Sequence, residues 1–288
     1  MQIVESVAEV RAAVRQLRRQ QDPEALLALV PTMGAIHEGH LSLVRAARHA
    51  CNFVAASIFV NPLQFNAGED FDKYPRVLEA DTALLAAAGV DLLFVPTAKE
   101  MYPPQASTIV EVHGISDRLD GASRPGHFRG VATVVAKLFN IVSPDLAFFG
   151  QKDAAQIAVL RAMIRDLNLP VQLVACPTVR EPDGLALSSR NRYLNPAERH
   201  QALTLHRALE AAKTLVEQGE TCSQALRAAM LKVLSEEPTI RVDYAEVVNP
   251  DTLEAMPLMT GSALIAVAAW VGATRLIDNY VLNAVPHG

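Results

Sequence analysis

Between residues 25 and 176 short unbroken apolar runs alternate with segments of helical period, and this alternation restricts what the chain can fold into. The runs are Ala25–Val30, Phe53–Val60, Asp91–Val95, Leu146–Phe149 and Val171–Ala175. None shows the polar-in-every-second-place pattern of a strand with one wet face. Runs of this kind, separated by helices, predict a parallel sheet covered on both faces, because each βαβ crossover lays a helix over it. Pro31, the Asn61-Pro62 pair and Pro96 stop three of the runs. Between them the helical segments have their own start and stop signals. Ser6-Val-Ala-Glu9 is a capping box ahead of Val10, Ala13, Val14 and Leu17. A helix is predicted through about Ala50, another from Pro75 to Ala88 with Gly89 as its stop, and two more over 127–142 and Asp153–Leu167.

The pattern changes after Pro177. Two helices, about 196–218 and 222–235, precede three strands near 242–248, 263–271 and 275–282 with no helix between them, which is an α+β order. The expected architecture is therefore an α/β domain over residues 1–176 and a smaller α+β domain over 177–288. Ala255–Thr274 carries no charge, but Pro257, Thr260, Gly261 and Ser262 interrupt it. The apolar part, Ala263–Ala273, falls short of the ~20 residues a membrane span needs. The first twenty residues contain Glu5, Glu9, Arg11, Arg15, Arg18 and Arg19 and no apolar signal-peptide centre. With a formal net charge of -5, the chain is a poor non-specific nucleic-acid binder. Cys51, Cys176 and Cys222 are odd in number and widely spaced, as suits reduced cytoplasmic thiols. A cytoplasmic protein without membrane or nucleic-acid partners is expected.

Four segments carry chemistry. Pro31-Thr-Met-Gly-Ala-Ile-His-Glu-Gly-His40 leaves a strand and opens a helix. His37 and His40 share a helix face, at an N-terminus whose N–H groups attract anions. Alone, the segment reads better as an ordinary strand–helix turn, and its H-E-G-H spacing is one residue short of a zinc helix. Gly150-Gln-Lys-Asp153 follows another strand, so Lys152 would stand at the carboxyl edge of the sheet, where ligands of such sheets bind. Leu187-Ser-Ser-Arg-Asn191 offers two hydroxyls and a guanidinium for a phosphate, or a plain cap and turn. Phe59-Val-Asn-Pro-Leu-Gln-Phe65 places Asn61 and Gln64 just past a strand, and Gln156 stands four residues beyond Lys152. These amides could hold a hydroxylated substrate, or merely line a loop.

Taken in order, the strand–HxGH–helix, the strand-end lysine and the Ser-Ser-Arg loop resemble the nucleotidyltransferase superfamily. Within it PTMGAIHEGHLSLV, FVNPLQF, FGQKDAAQ and LSSRNRYL, with Arg124-Pro-Gly-His-Phe-Arg-Gly130 and Tyr74-Pro-Arg76, resemble the pantoate–β-alanine ligases over nearly the whole chain. The resemblance implies a Rossmann-like first domain that binds ATP and pantoate, a C-terminal lid, a homodimer and Mg²⁺. It implies that Met33, Gly34, Ala35, Ile36, His37, Glu38, Gly39 and His40 hold ATP together with Gly150, Gln151, Lys152 and Asp153. It further implies Val179 on the adenine side, with Leu187, Ser188, Ser189 and Arg190 closing on the phosphates. Gln64, Gln156 and Asn61 would bind pantoate or β-alanine. His40, His37, Lys152 and Arg190 would be catalytic, with Asp81 touching the metal. Leu187 stands where the family commonly has Met, and Asp120 where Glu is common.

The expected reaction joins pantoate to β-alanine through a pantoyl adenylate and releases AMP and pyrophosphate, with no role for a cysteine. Two rivals share part of the pattern. A nucleotidylyltransferase acting on a phosphate acceptor gives no role to FVNPLQF or Gln156. A tRNA-binding relative of the class I synthetases lacks the basic tract it would need.

Overall fold

A computed structural model of the chain describes residues 1–20 and 24–284. In chain order the elements are β1 (Gln2–Val4), α1 (Val7–Gln20), β2 (Leu27–Thr32), α2 (Glu38–Ala50), β3 (Phe53–Ile58), α3 (Leu78–Ala87), β4 (Leu92–Phe94) and α4 (Ala98–Met101). They continue with α5 (Asp120–Ser123), α6 (His127–Val142), β5 (Leu146–Gly150), α7 (Ala154–Asp166) and β6 (Gln172–Cys176). The chain ends with α8 (Pro196–Glu217), α9 (Ser223–Leu234), β7 (Arg241–Val248), β8 (Ser262–Val271) and β9 (Thr274–Asn283).

Two compact units result. The first holds Met1–Asp117, Arg124–Gly150 and Val159–Cys176; the second holds Arg118–Ser123, Gln151–Ala158 and the described residues from Pro177 on. Two short segments that the sequence pattern put in the first domain thus pack within the second unit.

In the first unit six parallel strands lie in the order β1-β4-β3-β2-β5-β6. The chain moves one way from β2 through β3 to β4, then returns to the other side of β2 for β5 and β6. The carboxyl ends of β2 and β5 therefore flank the point where the order reverses, the customary crevice of such sheets. The core on one face gathers Val30, Val44, Val54, Leu85, Leu93 and Phe148. In the second unit β7, β8 and β9 form an antiparallel sheet in that order. Ile265, Val267 and Ala269 of β8 pack with Leu205 and Leu209 of α8 and Met230 of α9. Among the described residues no helix is long and apolar enough to cross a membrane.

The sequence pattern and the structure differ at several edges. β1 was not expected; it is three residues long, too short to show a period. β3 ends at Ile58, two residues early, because Asn61 caps the turn Pro62–Gln64 instead of stopping a strand. α3 starts at Leu78 and not at Pro75. Tyr74 is buried beside Phe65, and Arg76 lies over the Phe71 ring, which holds residues 74–76 in a loop. The helix expected from Asp153 begins at Ala154, after a 3₁₀ turn over Gln151–Asp153.

Candidate active site

The loop after β2 turns on Gly34 and Ala35, both left-handed at φ 84° and 52°. Glycine tolerates that region freely and alanine does not, so something must hold Ala35 there. Asp81 of α3 does: its Oδ2 accepts from Ala35 N at 2.8 Å and its Oδ1 from Ile36 N at 2.7 Å. Asp81 is 2% exposed, and a Cβ on Gly34 would stand 3.0 Å from Oδ2. A buried carboxylate is expensive unless hydrogen-bonded, and here the two loop amides satisfy it. Thr32 Oγ accepts from Gly34 N at 3.2 Å and donates to Ser57 O at 2.7 Å, fixing the other end of the loop to β3.

The same loop delivers the two histidines to the start of α2 in an unusual arrangement. His37 is the N-cap: its Nδ1 accepts from Gly39 N at 3.1 Å, while His40 Nδ1 accepts from His37 N at 3.4 Å. The rings lie 4.1 Å apart between centroids. This is a capping box built from imidazoles in place of Ser and Glu. An Nδ1 that accepts carries no proton, so each neutral ring bears its proton on Nε2. Each Nδ1 is thus engaged by backbone at a helix N-terminus, which leaves Nε2 as the other nitrogen of each ring. Glu38, in the first turn, pairs with Arg45 on an exposed face.

The turn after β3 is assembled as tightly. Asn61 is 1% exposed and fully engaged: Oδ1 accepts from Tyr102 Oη at 2.9 Å and Leu63 N at 3.3 Å, and Nδ2 donates to Gly130 O at 3.1 Å and Gln64 Oε1 at 3.0 Å. Gln64 then directs its Nε2 to Met33 Sδ at 3.0 Å, which joins this turn to the β2 loop. The backbone oxygen of Gln64 accepts from Arg124 Nη2 at 3.2 Å and His127 Nδ1 at 2.8 Å. Arg124 also forks onto Glu69 at 2.9 and 2.5 Å. Burial raises the Glu69 carboxyl, but the Arg124 hydrogen bond and charge outweigh it and leave the group lowered. Gly130 brings α6 against the turn, since a Cβ there would lie 2.2 Å from Leu63 O. The Arg124–Gly130 motif is therefore a cradle for the Asn61–Gln64 turn. Gly150, the last of the candidate residues in this unit, closes β5.

The second unit holds the other candidates. Lys152 sits in the turn Gln151–Asp153, with Nζ 3.7 Å from Asp153 Oδ1 and a side chain one-fifth exposed. Asn279 of β9 holds the backbone of that turn, donating from Nδ2 to Gln151 O at 3.0 Å and Lys152 O at 2.8 Å. Gln156 follows in α7 and is half-buried. Val179 O accepts from Leu187 N at 2.9 Å, and Arg180 bridges Ala186, so residues 179–187 form a narrow loop. Arg180 forks onto Asp278 at 2.6 and 2.9 Å. Ser188 caps the turn Ser189–Tyr193 by accepting from Arg190 N at 3.2 Å, so the cap reading of this segment holds whatever else Ser188 does. Asn191 donates to Glu181 Oε1 and Ala186 O, both at 3.1 Å, tying that turn back to the loop. Asp120 pairs with Arg275 Nη1 at 2.7 Å.

Sequence reasoning missed Asn279, Asp278, Tyr102 and the loop-holding task of Asp81. For the first two a signal existed: Asp278-Asn279 interrupts an otherwise apolar strand pattern, and both are 4% exposed.

The family model described as Pantoate-beta-alanine ligase matches residues 2–281. The chain is 58% identical to a pantothenate synthetase of Acidobacterium capsulatum, over 99% of this chain and 98% of that protein. It is 54% identical to one of Koribacter versatilis, over 99% and 97%. A crystal structure of pantothenate synthetase from Thermus thermophilus superposes with a TM-score of 0.92 at 49% identity, covering 99% of this chain and all of that one. A pantoate-beta-alanine ligase from Francisella tularensis, complexed with beta-gamma ATP and beta-alanine, superposes at 0.77 with 31% identity over 98% and 97%. With motif, fold and near-complete coverage in agreement, the chain belongs to the pantoate–β-alanine ligase family and is a ligase enzyme.

Proposed function

We propose that the chain condenses pantoate with β-alanine at the expense of ATP, through a pantoyl adenylate. The observation that carries this reading is the β2 loop. Asp81 holds two of its amides, and the imidazole capping box sets two histidines side by side at a helix N-terminus, an arrangement suited to a polyphosphate. The amide of Gln64, oriented by Asn61 and tied to Met33, puts a neutral hydrogen-bonding group beside that loop, as a hydroxy acid requires.

In the first step a carboxylate oxygen of pantoate attacks the α-phosphorus of ATP. The new O–P bond forms as the bond to the β-phosphate oxygen breaks, and pyrophosphate leaves with that electron pair. Both reactants are anions. Lys152, Arg190 and the helix N-terminus are the proposed groups that offset the repulsion and hold the phosphoryl oxygens, usually the largest catalytic contribution, while His37 and His40 donate to the departing phosphates. In the second step the neutral amine of β-alanine attacks the acyl carbon. The C–O bond to AMP breaks, and the amine loses a proton as the amide forms. Met33–His40 with Gly150–Asp153 and Val179 are the proposed ATP contacts. Leu187–Arg190 close on the phosphates, and Gln64 and Gln156 take pantoate. Because Asn61 is buried and fully bonded, its proposed part is to orient Gln64.

Magnesium belongs to the same proposal. Among the described residues no three His, Cys, Asp or Glu side chains gather as a cage. Mg²⁺ ordinarily uses one or two carboxylates plus substrate phosphates. Asp81 fits as that carboxylate, since each oxygen accepts one N–H and keeps a lone pair. When bound, the ion would neutralise phosphate charge. A cytoplasmic homodimer is also proposed; the buried free thiols of Cys51 and Cys176 suit a reducing compartment, and Val77, Leu78 and Leu84 leave an apolar surface at α3 for a second copy.

The test is isotope exchange. With ATP, Mg²⁺ and pantoate but no β-alanine, the protein should move labelled pyrophosphate into ATP. Exchange that needs no pantoate would indicate a transferase, and exchange that waits for β-alanine would exclude the adenylate.

A further inference from the structure

We infer that Asn279 is a positioning residue for Lys152, and that the adjacent pair Asp278-Asn279 on β9 sets the frame for both phosphate-handling segments of the second unit. The inference rests on the proposed role of Lys152 and goes beyond it. Asn279 lies in mid-strand, opposite Ala266 of β8, where an apolar side chain would ordinarily pack. It is 4% exposed. A buried amide is costly unless its donors and acceptor are met. Here they are met by one short stretch of chain. Nδ2 donates to Gln151 O and Lys152 O, and Oδ1 accepts from Gln151 Nε2 at 3.2 Å. The two backbone carbonyls are those of Lys152 itself and of the residue before it. The amide therefore fixes the direction in which the Lys152 side chain leaves the backbone.

Asp278, its neighbour, does the equivalent for the other segment. Its carboxylate receives both terminal nitrogens of Arg180, and Arg180 in turn donates to Gly184 O at 3.0 Å. Arg180 opens the narrow loop that leads to Ser188–Arg190. Asp278 also accepts from the Asn279 backbone N at 2.8 Å, so the two anchors are bonded to each other. Successive side chains leave a strand on opposite faces, which lets two neighbours hold two separate segments.

The experiment is a double-mutant cycle read by pantoate-dependent pyrophosphate exchange, with Asn279→Ala, Lys152→Ala and the pair. A displacement of about 1 Å in a catalytic group can reduce rate by ~10²-fold. The expected result is a loss of about that size in kcat for Asn279→Ala, with KM for pantoate within about twofold of the parent and a single cooperative thermal transition a few degrees below the parent's. In the Lys152→Ala background Asn279→Ala should then reduce the rate by less than about threefold, because groups acting as a unit are not additive. Should Asn279→Ala not fold, Asn279→Ser keeps one donor and should give an intermediate loss with the same non-additivity. Near-parental activity in the Asn279 variants, or the full loss repeated on top of Lys152→Ala, would overturn the inference. If Lys152→Ala retains full activity, the phosphate role of Lys152 falls, and this inference falls with it.

Discussion

The closest approach in the first unit makes a sharp prediction. A Cβ at Gly130 would meet Leu63 O at 2.2 Å, Leu63 C at 2.4 Å and Gln64 N at 2.7 Å. These are backbone atoms, so no rotamer change relieves them. Ordinary contact requires that α6 and the Asn61–Gln64 turn separate by about an ångström. That separation also stretches the bond from Asn61 Nδ2 to Gly130 O, now 3.1 Å. Overpacking of this kind costs about 1–3 kcal/mol. At roughly 2–4 °C per kcal/mol for chains somewhat smaller than this one, Gly130→Ala should lower the melting temperature by several degrees. The displaced turn carries Gln64, so the kinetic effect should be selective. KM for pantoate should rise by about tenfold or more and kcat should fall, while KM for ATP moves little. Scanning calorimetry and initial rates with each substrate varied in turn would measure both. A Gly130→Ala protein with an unchanged melting temperature and unchanged pantoate KM would refute the reasoning, because a contact of 2.2 Å cannot be absorbed silently.

Two further outcomes are expected. Asp81→Asn replaces an acceptor with an NH₂ group facing a loop amide; hydrogen bonds to charged groups contribute about 1.5–3 kcal/mol, so the nucleotide KM should rise at least tenfold, and an unaltered ATP dependence would remove Asp81 from the loop's support. Burial raises the Cys51 and Cys176 thiols above their ordinary range; at pH 8 they stay protonated more fully than a free thiol, so a thiolate-selective disulfide reagent should modify Cys222 first and spare these two until the pH is raised further or the chain unfolds, and rapid labelling of all three at pH 8 would contradict it.

What the sequence disclosed and what it withheld divide by range of interaction. The strands β2, β3, β5 and β6 were legible because burial on both faces writes itself as a local apolar run. So was the start of α1, where Ser6 N donates to Glu9 Oε2 at 2.9 Å just as the capping box requires. The HxGH segment was legible as a helix start, but its internal wiring was not. A histidine gives no hint in sequence that its Nδ1 will cap a helix. The family resemblance implies a metal contact for Asp81, which stays a proposal; its second task is not legible, because an acid in a weakly patterned helix gives no sign that two amides 45 and 46 residues away will meet it. Asn61, an amide just past a strand, reads equally as a substrate ligand or as loop polarity. Only its partners Tyr102 and Gly130, distant in sequence, show that the amide is already fully used. The region 98–126 gave almost nothing, since its helices are four residues long and its folding depends on pairs such as Asp120 with Arg275.

The assignment of Gln151–Ala158 to the second unit bears on how the protein is made. A ribosome releases Lys152 long before Asn279. A nascent chain complete through β6 already has every strand of the parallel sheet, yet the turn bearing its lysine has no amide to rest on until the final strand emerges. Premature termination between β6 and residue 279 should therefore yield chains that have Asp81 and the β2 loop but lack the amide on which the Lys152 turn rests.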